Sequence, residues 1–133
     1  MLKVFVYGTL KPGESNYQYY CRGKSIEEIA AYTFGNLYNL SLGYPAMTEG
    51  NNRVQGYLLS FSDTDILNSL DRLEDYHPNR SFDLNEYYRR EINVYLSSGE
   101  LLATAWSYFM SEAKIKQFKG IFLPSGCWTS TIK

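Results

Sequence analysis

The apolar positions of this chain fall mostly in short β-rich runs, separated by clusters of glycine, proline and asparagine. Leu2–Tyr7 is the first such run, and Gly8-Thr9-Leu10-Lys11-Pro12-Gly13 stops it at once, which predicts a strand feeding a tight loop. Asn16–Arg22 reads as a short helix closed by Gly23. Ile26–Leu40 reads as two strands with a bend at Gly35-Asn36, and Val54–Phe61 as a further strand. Gly43-Tyr44-Pro45 and Glu49-Gly50-Asn51-Asn52 carry turn chemistry.

Helical spacing appears in the middle of the chain. Ser62-Asp63-Thr64-Asp65 fits a capping box, and Ile66, Leu67, Leu70 and Leu73 follow on one face. Glu86–Leu96 and Leu101–Met110 flank Ser97-Ser98-Gly99-Glu100, a hairpin signal, and Ser111–Phe118 predicts a short helix before a loop-rich tail. Strands outnumber helices and at least one hairpin is antiparallel. The expectation is an α+β fold whose sheet curls and closes on itself.

Length and composition narrow the function classes. The 133 residues fit one domain, 1–133, and 44% hydrophobic with 20% charged positions describes a folded chain. Thirteen Lys+Arg against 14 Asp+Glu leave a net charge of −1 with no long run of either sign, so no nucleic-acid or membrane-surface partner is expected. The surplus is aromatic, with 13 tyrosines. No apolar span approaches a membrane crossing, and Met1–Tyr7 has too short an apolar run for a secretory signal. Cys21 and Cys127 are neither a disulfide framework nor a metal pair. Free thiols in a reducing, cytoplasmic setting are expected, one long-range disulfide being the other option.

Most catalytic motifs fail on inspection. Gly8–Ser15 has the glycine and serine spacing of a phosphate loop, but Glu14 stands where the phosphate-binding lysine would be and Pro12 removes a backbone donor. No dinucleotide fingerprint is present. The single histidine, His77, precedes a proline in a turn, without a Gly-x-Ser-x-Gly element. One histidine with two distant cysteines does not make a zinc site, so no metal is expected.

Two features remain. Tyr7-Gly8-Thr9-Leu10 leaves a strand at a glycine, where successive backbone N–H groups can form a concave nest for a carboxylate or oxyanion; the plain alternative is an ordinary tight turn. Glu74 falls four residues after Leu70 and eight after Ile66, on the apolar face of the predicted Asp63–Glu74 helix. Burial and the helix dipole would both raise its pKa, as a general base working near neutrality requires; the alternative is a frayed helix end in water. Asp71, Arg72 and Asp75 read as solvated charges. On the strand Glu86–Leu96, Tyr88 shares a side with Arg90, Ile92 and Val94, and Tyr87 faces the other way. An inward Tyr88 could bond a ligand or Glu74, or simply pack across strands.

The run Val4-Phe5-Val6-Tyr7-Gly8-Thr9-Leu10-Lys11-Pro12-Gly13 resembles the opening signature of gamma-glutamylcyclotransferase-like proteins, in the branch containing gamma-glutamylamine cyclotransferase. Gly35-Asn36-Leu37-Tyr38, Gly43-Tyr44-Pro45, Val54-Gln55-Gly56-Tyr57-Leu58, Leu70-Asp71-Arg72-Leu73-Glu74-Asp75-Tyr76, Tyr88-Arg89-Arg90 and Ser125-Gly126-Cys127-Trp128 continue the resemblance in family order. It implies a small mixed β-barrel surrounded by short helices, with a cavity at one end. It also implies that Tyr7, Gly8, Thr9 and Leu10 hold the glutamyl α-carboxylate and amino group, and that Glu74 is the proton acceptor. Asp75 departs from a common glycine, and Cys127 from a common acidic residue, changes that bear on pocket shape.

The reaction so implied is intramolecular aminolysis of a small γ-glutamyl substrate, giving 5-oxoproline and a released amine. It calls for no cofactor and no metal. A non-catalytic module that binds a small carboxylate or amino-acid derivative in the same pocket is the alternative. The leaving amine and the oligomeric state have no signature in the sequence.

Overall fold

The computed structural model describes residues 1–130. Strand β1 (Leu2–Val6) leads through the Tyr7–Ser15 loop and the one-turn helix α1 (Tyr17–Tyr20) into two long strands, β2 (Ser25–Asn39) and β3 (Pro45–Phe61). Helix α2 (Ile66–Leu73) follows, then β4 (Tyr88–Tyr95), β5 (Leu101–Phe109), helix α3 (Glu112–Gln117) and the short β6 (Ile121–Phe122). The fold is α+β, as the strand-rich pattern with isolated amphipathic helices predicts.

The six strands form one mixed sheet in the order β3-β1-β5-β4-β2-β6, with β2 also paired to β3. Antiparallel β1–β3 pairing runs from Leu2 opposite Phe61 to Val6 opposite Tyr57. The β4–β5 hairpin forms as the Ser97–Glu100 turn predicts, from Tyr88 opposite Phe109 to Tyr95 opposite Leu101.

The expected β-barrel is corrected. A barrel needs an unbroken, staggered ladder around its whole circumference. Here the parallel β1–β5 contact is the single pair Val4–Trp106, and β2 meets β4 at the single pair Tyr32–Tyr95. Register shifts also interrupt the β2–β3 ladder at Ser25/Glu27 and Gly35/Asn36, and the β4–β5 ladder at Val94/Tyr95. The result is a six-stranded mixed sheet.

Two other expectations change. The two strands expected over Ile26–Leu40 are one, β2 (Ser25–Asn39), and Gly35-Asn36 is a site of register shift in it. The turn expected at Glu49-Gly50-Asn51-Asn52 lies inside β3, because that shift takes up its extra residues: Asn36 pairs with Thr48 and Gly35 with Asn52. Asn52 Nδ2 donates to Asn36 Oδ1 at 2.6 Å, so polar side chains stabilise a bulge where local chemistry favours a turn.

Alternate residues of β1 enter two separate cores. Leu2, Val4 and Val6 pack with Leu59, Phe61 and α2's Ile66 and Leu70. Phe5 and Tyr7 pack with Leu37, Met47, Val54, Leu58, Phe109 and Trp128. From Val4 to Val6 this strand is buried on both faces, which explains its apolar run, while Lys3 near its start stays half-exposed beside Glu27. The chain end is held by Trp128, buried at 2% exposure, whose Nε1 donates to Asn39 Oδ1 at 2.9 Å. Lys11, also buried, donates its Nζ to the Trp128 carbonyl. Cys21 is buried and Cys127 exposed, both as free thiols. No helix among the described residues is long and apolar enough to cross a membrane.

Candidate active site

The site begins where β1 ends. Tyr7 is buried and its hydroxyl donates to the Tyr108 carbonyl at 2.8 Å, which fixes the strand exit against β5. The next residue must be small: a Cβ on Gly8 would lie 2.6 Å from Pro45 Cγ. The turn closes with Lys11 N–H donating to Gly8 O at 3.0 Å. Asn16 clamps its far side, donating its backbone N–H to Thr9 O at 2.8 Å and its Nδ2 to Thr9 Oγ1 at 2.9 Å. The amides of Gly8, Thr9 and Leu10 donate to no turn or loop acceptor among the described residues, so this loop can present N–H groups to an anion.

Helix α2 brings up the carboxylate. The helix starts at Ile66, later than the predicted Asp63; Asp63 Oδ1 accepts from Asp65 N–H at 2.9 Å, and Asp65 at the cap position makes no side-chain cap bond. Ile66 and Leu70 anchor the apolar face. Glu74 is the C-cap residue, its N–H donating to Leu70 O at 2.9 Å. Its side chain continues the Ile66–Leu70 face and is partly buried at the cavity wall. Burial first, and the neighbouring Glu86 carboxylate second, push the Glu74 carboxyl from its ordinary 4.5 up to about 8.

Tyr7, Gly8, Thr9, Leu10 and Glu74 thus open on one small cavity of about 40 Å³. Tyr44, Pro45, Tyr87 and Tyr108 complete its polar and aromatic wall. An adjoining cavity of about 120 Å³ continues past Thr9, Tyr44, Glu74 and Tyr87 to Asn16, Leu73 and Glu86. Tyr44 donates its hydroxyl to Glu86 Oε2 at 3.0 Å, and Tyr87 donates to Pro45 O at 2.7 Å. Burial and the adjacent carboxylates hold the phenols of Tyr7, Tyr44, Tyr87 and Tyr108 well above their ordinary range, so these hydroxyls stay neutral. No group of three His, Cys, Asp or Glu side chains among the described residues is arranged to hold a metal ion.

Some side chains stand elsewhere than the sequence suggests. Tyr88 faces away from Glu74: it stacks on Phe109 and donates to Glu49 Oε2 at 3.1 Å. Its neighbour Tyr87 takes the cavity position, as the opposite side of the same alternation allows. Asp71 is not solvated. It is 7% exposed, accepts the Tyr108 hydroxyl at 2.6 Å, and forms an ion pair with Arg89 at 2.9 Å. Helix periodicity places Asp71 one step off the apolar face, but β5 and β4 cover that step, which α2's own sequence cannot announce. Asp75 adopts a left-handed conformation, φ 54°, where a glycine would be at ease. Arg80 supports it by donating Nη2 to both its carbonyl, at 2.8 Å, and its carboxylate, at 3.0 Å. His77 is an exposed turn residue, as expected.

Known proteins resemble this chain in sequence and in fold. The family model described as gamma-glutamyl cyclotransferase, AIG2-like, matches residues 4–130. A protein of Vibrio cholerae assigned as a gamma-glutamylcyclotransferase is 35% identical over 111 residues, covering 82% of each chain. The gamma-L-glutamyl-butirosin B gamma-glutamyl cyclotransferase of Niallia circulans is 33% identical over 109 residues, covering 81% of this chain and 66% of that protein. A Halalkalibacterium halodurans protein with the same assignment as the Vibrio one is 39% identical over 67 residues, and the match spans 60% of its length. Among solved structures, an AIG2-like protein from Mus musculus superposes with a TM-score of 0.69 at 20% identity, covering 99% of this chain and 90% of that one. Protein ytfP from Escherichia coli gives 0.65 at 23% identity, covering 96% of both. At that identity the structures establish the shared fold, while the family match rests on sequence across nearly the whole chain: this protein belongs to the gamma-glutamyl cyclotransferase, AIG2-like family.

Proposed function

We propose that this protein cyclises a γ-glutamyl amine or peptide to 5-oxoproline and releases the amine. The observation that carries the reading is the placement of Glu74 on one cavity with the Gly8–Leu10 turn, where burial and the Glu86 charge push its carboxyl up to about 8. The loop amides hold the glutamyl α-carboxylate, which curls the substrate so that its α-nitrogen approaches its own γ-carbonyl. Such orientation contributes up to about 7–11 kcal/mol in favourable intramolecular reactions.

Glu74 takes a proton from the α-ammonium, and the freed amine attacks the γ-carbonyl. The C–N bond of a five-membered ring forms and the bond to the leaving amine breaks. Two protons leave the α-nitrogen in all, and both end on the released amine, with Glu74 carrying them. The incoming ammonium itself favours the ionised carboxylate by opposite charge, so the base is generated as the substrate binds. The two free thiols are consistent with action in a reducing cytoplasm.

The test is 5-oxoproline release from a panel of γ-glutamyl amines and γ-glutamyl dipeptides, with Glu74→Gln as control. Release by the wild type alone supports the reading. Saturable binding with no release by either protein would instead make the pocket a binding site for a small carboxylate.

A further inference from the structure

We propose that Tyr108 is a second contact for the substrate's α-amino group, and that Asp71 is its positioning residue, holding the Tyr108 proton so that the hydroxyl oxygen can accept but not donate. The inference rests on the cyclotransferase reading and adds two residues to it. Tyr108 shares the cavity wall with Glu74, whereas Asp71 does not reach the cavity. The link between them is the 2.6 Å hydrogen bond from Tyr108 Oη to Asp71 Oδ1. Arg89 fixes the other end, with Nε 2.9 Å from the same oxygen and the guanidinium stacked 4.5 Å over the Trp106 ring.

The direction of that hydrogen bond matters for the chemistry. A hydroxyl has one proton and two lone pairs. If the proton were free to rotate, Tyr108 could donate it to the α-amine once Glu74 had removed a proton, and so occupy the lone pair needed for attack. Asp71 is an ion-paired carboxylate that can only accept from Tyr108, so the phenol's proton points away from the cavity. Its remaining lone pairs can then accept an N–H from the α-nitrogen. One N–H of the ammonium goes to Glu74 and one to Tyr108; once Glu74 has taken its proton, the lone pair left in that direction is brought to the γ-carbonyl by rotation about the Cα–N bond. The Tyr7 hydroxyl holds the Tyr108 backbone carbonyl, which keeps this residue in place from the other side.

The experiment separates recognition of the amino group from general pocket integrity. KM and kcat are measured with γ-L-glutamyl-ethylamide, and Ki with its des-amino counterpart, glutaric acid monoethylamide, for wild type, Tyr108→Phe and Asp71→Asn. Tyr108→Phe should raise KM by about tenfold or more, in line with loss of a hydrogen bond to a charged group, while Ki stays within about twofold. Asp71→Asn keeps an acceptor with a weaker hold on the proton, so kcat should fall several-fold, by an order-of-magnitude estimate for a charge-assisted bond made neutral, with Ki unchanged. Equal changes in KM and Ki would make Tyr108 structural and overturn the inference, as would a Tyr108→Phe protein with wild-type constants. A wild type that turns over normally while both variants match it removes this inference alone. If the amide is not turned over, the same constants are measured with the best substrate of the γ-glutamyl panel and its des-amino counterpart; a wild type that releases no 5-oxoproline from any member of that panel removes the cyclotransferase reading and this inference with it.

Discussion

Asp71 and Glu74 lie one helical turn apart at the end of α2, and their carboxylates occupy opposite electrostatic worlds. Asp71 is ion-paired with Arg89 at 2.9 Å and accepts the Tyr108 hydroxyl at 2.6 Å. Glu74 has no hydrogen-bonding or ionic partner for its carboxylate among the described residues, and faces the charge of Glu86. The hydrogen bonds and ion pair hold Asp71 in place, whereas burial and the Glu86 charge equip Glu74 to carry a proton.

Glu74→Gln should fold as the wild type does and lose turnover by roughly 10²–10⁴-fold, the usual contribution of general acid–base catalysis. The check is 5-oxoproline release alongside circular dichroism. Full activity in the variant would remove Glu74 from the chemistry.

The pH dependence follows from the Glu74 carboxyl at about 8. As a base it must be ionised, so kcat/KM should rise with pH and level off above about 8. A profile already flat from pH 6 would place the working base elsewhere.

Stability should move the opposite way. The unfolded chain releases the Glu74 proton near its ordinary 4.5, whereas the folded chain keeps it to about 8. Between those values the folded state binds more protons, so this contribution is complete below 4.5 and is lost as pH rises through about 8. Urea midpoints at pH 5 and pH 8.5 should therefore differ more for wild type than for Glu74→Gln.

Gly8→Ala places a Cβ 2.6 Å from Pro45 Cγ and 3.0 Å from Pro45 Cδ. The proline ring or the loop has to shift, an overpacking cost of about 1–3 kcal/mol. KM should rise more than kcat falls, since the amides that would hold the α-carboxylate move. Chemical denaturation and steady-state kinetics test both parts.

Gly126→Ala should be costlier. Gly126 has φ 67°, and a Cβ there would sit 1.9 Å from the Arg53 carbonyl oxygen. The Gly126 carbonyl accepts from Gln55 N–H at 2.7 Å, so the clash pulls the chain end and buried Trp128 off β3. A stability loss of about 2 kcal/mol or more is expected, from left-handed strain of about 1–2 kcal/mol plus the clash. Thermal unfolding measures it, and a variant as stable as wild type would contradict the close approach.

Much of this molecule was written in local sequence. The continuous apolar run of β1, the Gly99 hairpin turn between β4 and β5, and the Ile66–Leu70–Glu74 stripe each follow from period and turn chemistry, which act over a few residues. The Tyr7–Leu10 turn and Glu74 could be singled out on the same basis. Their meeting in one cavity could not, because it depends on β1 and α2 packing through a shared core of residues far apart in the chain. The bulge that absorbed Glu49–Asn52, the single-pair junctions that keep the sheet from being a barrel, and the exchange of Tyr88 for Tyr87 at the cavity were likewise decided between strands. Asp71 is the clearest case: its helix assigns it to solvent, and only Arg89 and Tyr108, from two other strands, turn it into a buried ion pair. Local sequence fixes which way a side chain points from its own element; what covers that direction is settled by the elements that arrive there.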